Sequence, residues 1–165
     1  MYPHNILDLA EQVLQACRDN GLKLALAESC TGGLIAGALS TVPGSSDVLD
    51  RGFVTYANEA KTDMLGVPVD MLANHGAVSK AVARAMAEGA IRPAAVDISV
   101  SVTGIAGPGG GSAEKPVGLV HIASARTNMP TRHQRHVFEG DRQAIRLLAV
   151  QVALELLLRQ ANFQP

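Results

Sequence analysis

The sequence predicts an α/β fold: a single-domain α/β/α sandwich around a mixed, largely parallel sheet. Three observations predict it. The first half alternates strand-like and helix-like periodicity, the pattern of βα units. The second half runs three strand patterns together before one long helical pattern, which adds antiparallel strands to such a sheet. Finally, 165 residues of which 47% are hydrophobic suffice for one ordinary core, with no repeat, low-complexity tract or linker to divide it.

The elements follow in chain order. Ile6, Leu9, Ala10, Val13, Leu14 and Cys17 recur at helical spacing, and Asn20-Gly21 closes that helix. "LKLALA" (22–27) is a short apolar run between turn residues, hence a buried strand. A helix is expected from Thr31 to about Leu39, ended by "STVPGSS". "GFVTY" (52–56), β-branched and aromatic, gives a second strand, and Asn58 is placed to cap a short helix through Leu65. "SKAVARAMAEGAI" (79–91) is an Ala-rich helix with Ser79 as its cap.

In "VDISVSVTG" (96–104), Val96, Ile98, Val100 and Val102 face one way and Asp97, Ser99 and Ser101 the other, as a strand requires. "VGLVHIASA" (117–125) and "RHQRHVFEG" (132–140) make two more strands, expected to be neighbours. "DRQAIRLLAVQVALELLLRQ" (141–160) is a long helix with Asp141 at its positive end. It is apolar nearly all round. Ile145, Leu148, Val152 and Leu156 form one stripe; Leu147, Val150, Leu154 and Leu157 form another. One stripe serves the core, and the second predicts a homo-oligomer joined through this helix.

Composition narrows the function. Net charge is −1 and aromatic residues make up 3%, so the chain lacks the basic excess and stacking rings of a nucleic-acid binder. No apolar run reaches the ~18 residues of a membrane span, since Gln151 and Glu155 interrupt the greasiest stretch. "MYPHNILDLAEQ" has no basic segment followed by an apolar one, so the cytoplasm is the expected compartment. Cys17 and Cys30 fit no metal spacing and no disulfide framework. A small-molecule partner is expected.

Two stretches carry chemistry. In "AESCTGG" (27–33), Ser29, Cys30 and Thr31 sit where a strand turns into a helix, followed at once by Gly32 and Gly33. A hydroxyl there can cap the helix, a role that stabilises by ~1 kcal/mol. Yet three polar side chains crowd a position that needs one cap. A serine at such a turn is also placed to act as a nucleophile, its oxyanion held by amides around Cys30–Gly33. The second stretch, "TGIAGPGGGSAEKPVG" (103–118), follows a strand and can aim several amides at a phosphate or carboxylate. It is no P-loop, because Pro116 follows Lys115, and no dinucleotide fingerprint, because Ser112 stands where the last glycine belongs. A flexible surface loop is the competing reading.

A serine nucleophile needs a base. None of the five histidines stands out: His133 and His136 face opposite sides of one strand, and His121 is alone in an apolar one. Lys61, in "TYANEAKTDML", serves only if its amine is neutral near neutral pH, which burial can bring about. A solvated helix lysine is the plainer alternative.

"AESCTGG", "GFVTYANEAK", "HGAVS", "TGIAGPGGGSAEKPVG" and "GDRQAIR", in this order, resemble the CinA C-terminal-domain family, in its stand-alone form, from the first helix to the last. That resemblance implies nicotinamide mononucleotide deamidation by a Ser–Lys pair, with no metal or organic cofactor and a homodimer or larger assembly. It puts the family serine on Ser29, the lysine on Lys61 and the tyrosine on Tyr56; Ala57 stands where serine is common in relatives. On this reading Tyr56 hydrogen-bonds near Ser29 or Lys61. Thr31, Gly32, Gly33, Thr103, Gly104 and Gly107 border the substrate, and Arg142 and Arg146, one turn apart, are candidates for a 5′-phosphate. The competing class is a non-catalytic nucleotide-binding or regulatory module tied to competence or DNA damage.

Overall fold

The computed structural model describes residues 1–93 and 95–165. In chain order these form α1 (His4–Asp19), β1 (Leu24–Glu28), α2 (Leu34–Ser40), β2 (Leu49–Val54), α3 (Asn58–Leu65), α4 (Val69–His75) and α5 (Lys80–Ile91). Then come β3 (Ile98–Gly104), β4 (Leu119–Arg126), β5 (Arg132–Val137) and α6 (Arg142–Ala161). The sheet order is β2-β1-β3-β4-β5. β1 pairs in parallel with both β2 and β3, whereas β4 runs antiparallel to β3 and to β5.

Helices cover both faces. Leu24, Leu26, Ile98, Val100 and Val102 pack against α1, α2 and α6, while Ala25 and Ala27 meet α3 and α5 on the other side. This explains why β1 is buried at every position. It also explains the strict alternation in β3. Its serines do not face water: Ser99 and Ser101 Oγ donate to the carbonyls of Ala87 and Ala83 of α5, both at 2.6 Å. Small polar side chains let the helix approach closely and remain hydrogen-bonded.

Ser79 caps α5 by accepting from Val82 N, and Asp141 caps α6 by accepting from Ala144 N. Three expectations change. Asn58 is the first residue of α3 and caps nothing; Ala57 holds the cap position without a side-chain bond. α2 begins at Leu34 rather than Thr31, because Gly32 and Gly33 take φ values of +58° and +99° and keep the chain in a turn. α4 was not anticipated; its seven residues, none buried, are too few to show a helical period.

The outer stripe of α6 is also largely covered within the chain. Ile145 and Leu156 of one expected stripe and Val150, Leu154 and Leu157 of the other are all buried, against α1 and the strands β3 and β4. Leu148 alone of the eight is exposed, at 36%. Leu147 and Val152 stay half-buried, so most but not all of the two stripes is taken up within the chain. Among the described residues, no helix is long and apolar enough to cross a membrane.

Candidate active site

β1 lies next to the edge strand β2, between two parallel neighbours, where α/β folds open a crevice beyond the carboxyl ends of their strands. The backbone there is clamped from both sides: Ser29 N donates to Val102 O and Thr55 N donates to Glu28 O, each at 2.9 Å. Ser29 thus leaves the strand from a rigid base.

The cap of α2 is neither Ser29 nor Thr31. It is Glu28, whose buried carboxylate accepts from Gly33 N (3.1 Å) and Ile35 N (3.1 Å) on one oxygen and Ala36 N (2.9 Å) on the other. A buried carboxylate needs such donors, and a helix N-terminus supplies them with favourable polarity. Ser29 is released from capping as a consequence. Gly32 N donates back to Ser29 O at 3.0 Å, closing a tight turn over residues 29–32. Gly32 and Gly33 amides are therefore committed inside the turn and are not open to a substrate, contrary to the sequence expectation. The amides left are those of Thr31, with no protein acceptor among the described residues, and Cys30, which meets only its own thiol.

Lys61 enters from the first turn of α3 and is 1% exposed. Its Nζ lies 3.2 Å from Ser29 Oγ, 2.7 Å from Thr55 O and 3.4 Å from Tyr56 O. No carboxylate among the described residues pairs with it. Burial lowers its pKa from the ordinary lysine range, slightly opposed by Cys30. The three contacts serve both protonation states: an ammonium donates to all three oxygens, and a neutral amine donates to the two carbonyls while its lone pair accepts from the serine hydroxyl. Cys30 is set differently, since burial pushes its thiol up to about 11, so it is protonated near neutral pH.

These groups open on a cavity of about 280 Å³ lined by Ser29, Cys30, Tyr56, Lys61, Thr103, Gly104, Gly107 and Arg142. Thr103 Oγ1 donates to Ala77 O at 2.9 Å, tying the end of β3 to the segment before α5. Gly104 is there for packing, as a Cβ would stand 2.9 Å from Leu119 O. Gly107, at φ +77°, turns its carbonyl to Arg142 Nη1, which donates at 2.7 Å. Tyr56 departs from its expected contact. The residue is 58% exposed and its hydroxyl accepts from Arg142 Nη2 at 2.9 Å; only its backbone carbonyl reaches Lys61.

Thr31, Gly32, Gly33 and Arg146 do not line this cavity; they build the turn behind it. Arg146 Nε and Nη2 donate to the carbonyls of Cys30 and Thr31, both at 3.0 Å. His121 and His133 form a pair, ring nitrogens 2.9 Å apart, away from the cavity.

Sequence reasoning missed Glu28, Asn58 and the Ala77–Val78 wall. Glu28 had a signal: one charge at the end of an otherwise apolar buried strand demands nearby donors. Ala77 and Val78 carry no chemistry in their side chains, and their only signal was the "HGAVS" block of the family resemblance.

A family model described as "CinA C-terminal domain" matches residues 6–161. The nicotinamide-nucleotide amidohydrolase PncC of Escherichia coli K12 is 48% identical over 160 residues, covering 97% of each chain. A CinA-like protein of Syntrophobacter fumaroxidans is 54% identical over 151 residues, which are 92% of this chain and 35% of that relative. The chain thus spans about a third of such longer relatives. The crystal structure of the competence/damage inducible protein CihA from Agrobacterium tumefaciens superposes with a TM-score of 0.95 at 50% identity over 99% of both chains. A competence-damaged protein (CinA) superfamily structure from Escherichia coli gives 0.90 at 35% identity, over 97% of this chain and 93% of that one.

Proposed function

The chain belongs to the CinA C-terminal-domain family, and on that premise we propose that it hydrolyses the carboxamide of nicotinamide mononucleotide, giving nicotinate mononucleotide and ammonia. The observation that carries the reading is the buried Lys61 Nζ, 3.2 Å from Ser29 Oγ with no carboxylate partner among the described residues, at the floor of a cavity. An isolated buried lysine is costly to a fold unless it is neutral, and a neutral lysine beside a serine is a base beside a nucleophile.

The steps follow from that pair. Lys61 takes the hydroxyl proton as Ser29 Oγ bonds to the carboxamide carbon. The Cys30 amide, in a residue that lines the cavity, receives the developing oxyanion. Lys61 returns the proton to the departing nitrogen, and ammonia leaves an acyl-Ser29 ester. A water molecule, deprotonated by the again neutral Lys61, then attacks the ester carbon; as the Ser29 Oγ–carbon bond breaks, Lys61 passes that proton to Ser29 Oγ, freeing the product acid and restoring the neutral amine. Tyr56 and Arg142 form the rim, with Arg142 offered to the 5′-phosphate. Every step uses a group of the chain itself. Arg146, whose fork is already engaged, is left out of the phosphate contact.

The same reading takes the reaction to the cytoplasm and, through the family likeness, to a homodimer or larger assembly; sedimentation as a clean monomer at micromolar concentration removes the assembly. The test of activity is ammonia release from nicotinamide mononucleotide by the purified protein, with Ser29→Ala as control. Release that persists in Ser29→Ala refutes the nucleophile. Binding without release favours a nucleotide-binding module, consistent with the competence and damage names of some relatives.

A further inference from the structure

Arg146 sits one helical turn beyond Arg142 but does a different task. Its guanidinium forks across two successive carbonyls, Cys30 O and Thr31 O, both at 3.0 Å. In a trans peptide the C=O and N–H point in opposite directions. Holding Cys30 O toward Arg146 therefore turns Thr31 N–H away from it, with no protein acceptor among the described residues. Holding Thr31 O fixes the next peptide, whose Gly32 N–H closes the turn on Ser29 O. That bond in turn sets the Ser29–Cys30 peptide and its Cys30 N–H, in a residue that lines the cavity. One side chain thereby orients all three peptide planes following the nucleophile.

Gly32 provides a second observation. A Cβ there would lie 3.3 Å from Arg146 Nη2, tighter than an ordinary contact, on a backbone already at φ +58°. The fork fits against this turn because the position has no side chain.

We infer that Arg146 is a positioning residue that holds the turn after Ser29 and so preorganises the oxyanion-binding amide of Cys30, rather than a phosphate ligand. The inference rests on Ser29 being the nucleophile of the proposed reaction. Its effect belongs to the transition state, since that amide is needed where charge develops.

Arg146→Met and Arg146→Lys are compared with the unaltered protein in two assays, after circular dichroism establishes that each is folded. In steady-state hydrolysis of nicotinamide mononucleotide, Arg146→Met lowers kcat by roughly 10²-fold, the loss typical of an oxyanion donor, and leaves KM within about twofold. Arg146→Lys, which can reach either carbonyl without the fixed fork, recovers part of that loss. The second assay measures the rate at which a fluorophosphonate labels Ser29. Ser29 Oγ bonds to phosphorus, fluoride leaves and the hydroxyl proton passes to Lys61, so the readout needs no particular substrate. Labelling slows by a similar factor in Arg146→Met. Should Arg146→Met not fold, Arg146→Lys and Gly32→Ala carry the same test.

A rise in KM with kcat unchanged assigns Arg146 to the phosphate and overturns the inference. An unchanged labelling rate overturns it as well, and so does absence of Ser29 labelling in the unaltered protein. If the unaltered protein is labelled at Ser29 but releases no ammonia, the proposed substrate fails, and the labelling ratio alone decides the role of Arg146.

Discussion

Replacing Glu28 by Gln separates the two explanations of the turn at Ser29. The carboxylate receives three amides, two on one oxygen and the Ala36 amide on the other. Glutamine can keep the oxygen that serves Gly33 and Ile35, but it then turns an NH2 against Ala36 N–H. One charge-assisted bond is lost and a buried donor is left without an acceptor, about 2 kcal/mol together. Removing negative charge from the first turn of α2 adds roughly 0.5–1 kcal/mol. The sum is about 3 kcal/mol, and at roughly 2–4 °C per kcal/mol for a chain of this size Tm falls by about 6–12 °C. Ser29→Ala removes no cap bond, so its Tm stays within about 2 °C of the unaltered protein, the range of a substitution away from such features. Both are read by calorimetry or thermal circular dichroism at pH 7. If Ser29→Ala is the more destabilised of the two, the serine is the cap and the assignment of Glu28 is wrong.

Four further outcomes are expected. Lys61→Met reduces turnover by about 10³-fold or more, the scale of a lost general base, while the unaltered kcat/KM rises with pH along a limb below the ordinary lysine range; a limb at the free-lysine value contradicts a desolvated amine. Because the folded pKa of Lys61 is lowered, the unfolded chain binds a proton that the folded chain does not. Stability is thus given up as pH falls from the unfolded pKa toward the folded one, and Lys61→Met gains on the unaltered protein in that direction in urea titrations. Cys30→Ala keeps ammonia release within a few-fold, and iodoacetamide leaves the native enzyme active, because a thiol pushed to about 11 is almost wholly protonated at pH 7; loss of release in Cys30→Ala moves the nucleophile to sulfur. Burial and the charges of His133, Arg135 and Lys115 hold His121 down at about 4, below its ordinary 6.5. Its contribution is complete above pH 6.5 and is lost as pH falls toward 4, at most about 3 kcal/mol, so His121→Asn flattens the acid limb of the stability curve; an unchanged limb refutes this assignment.

The sequence determined what depends on near neighbours along the chain. The 3.6 period of α1, the alternation of β3, the Ser79 and Asp141 caps and the turn at Asn20-Gly21 are each local, so composition and spacing reveal them. The five motif blocks also pointed to Ser29 and Lys61 together, through the resemblance they carry. The tertiary structure decided everything that needs a partner from a distant segment. Lys61 is dry because β2, α3 and the turn after β1 close around it, and no local pattern distinguishes a buried helix lysine from a solvated one. Glu28 displaces Ser29 as cap because its carboxylate reaches the free amides of a helix that starts six residues later. Arg142 and Arg146 look alike in one motif, yet a single turn of α6 carries one to the cavity rim and the other to the back of the turn at Ser29. Direction in space, which hydrogen-bond geometry and burial read and sequence spacing does not, separates their roles.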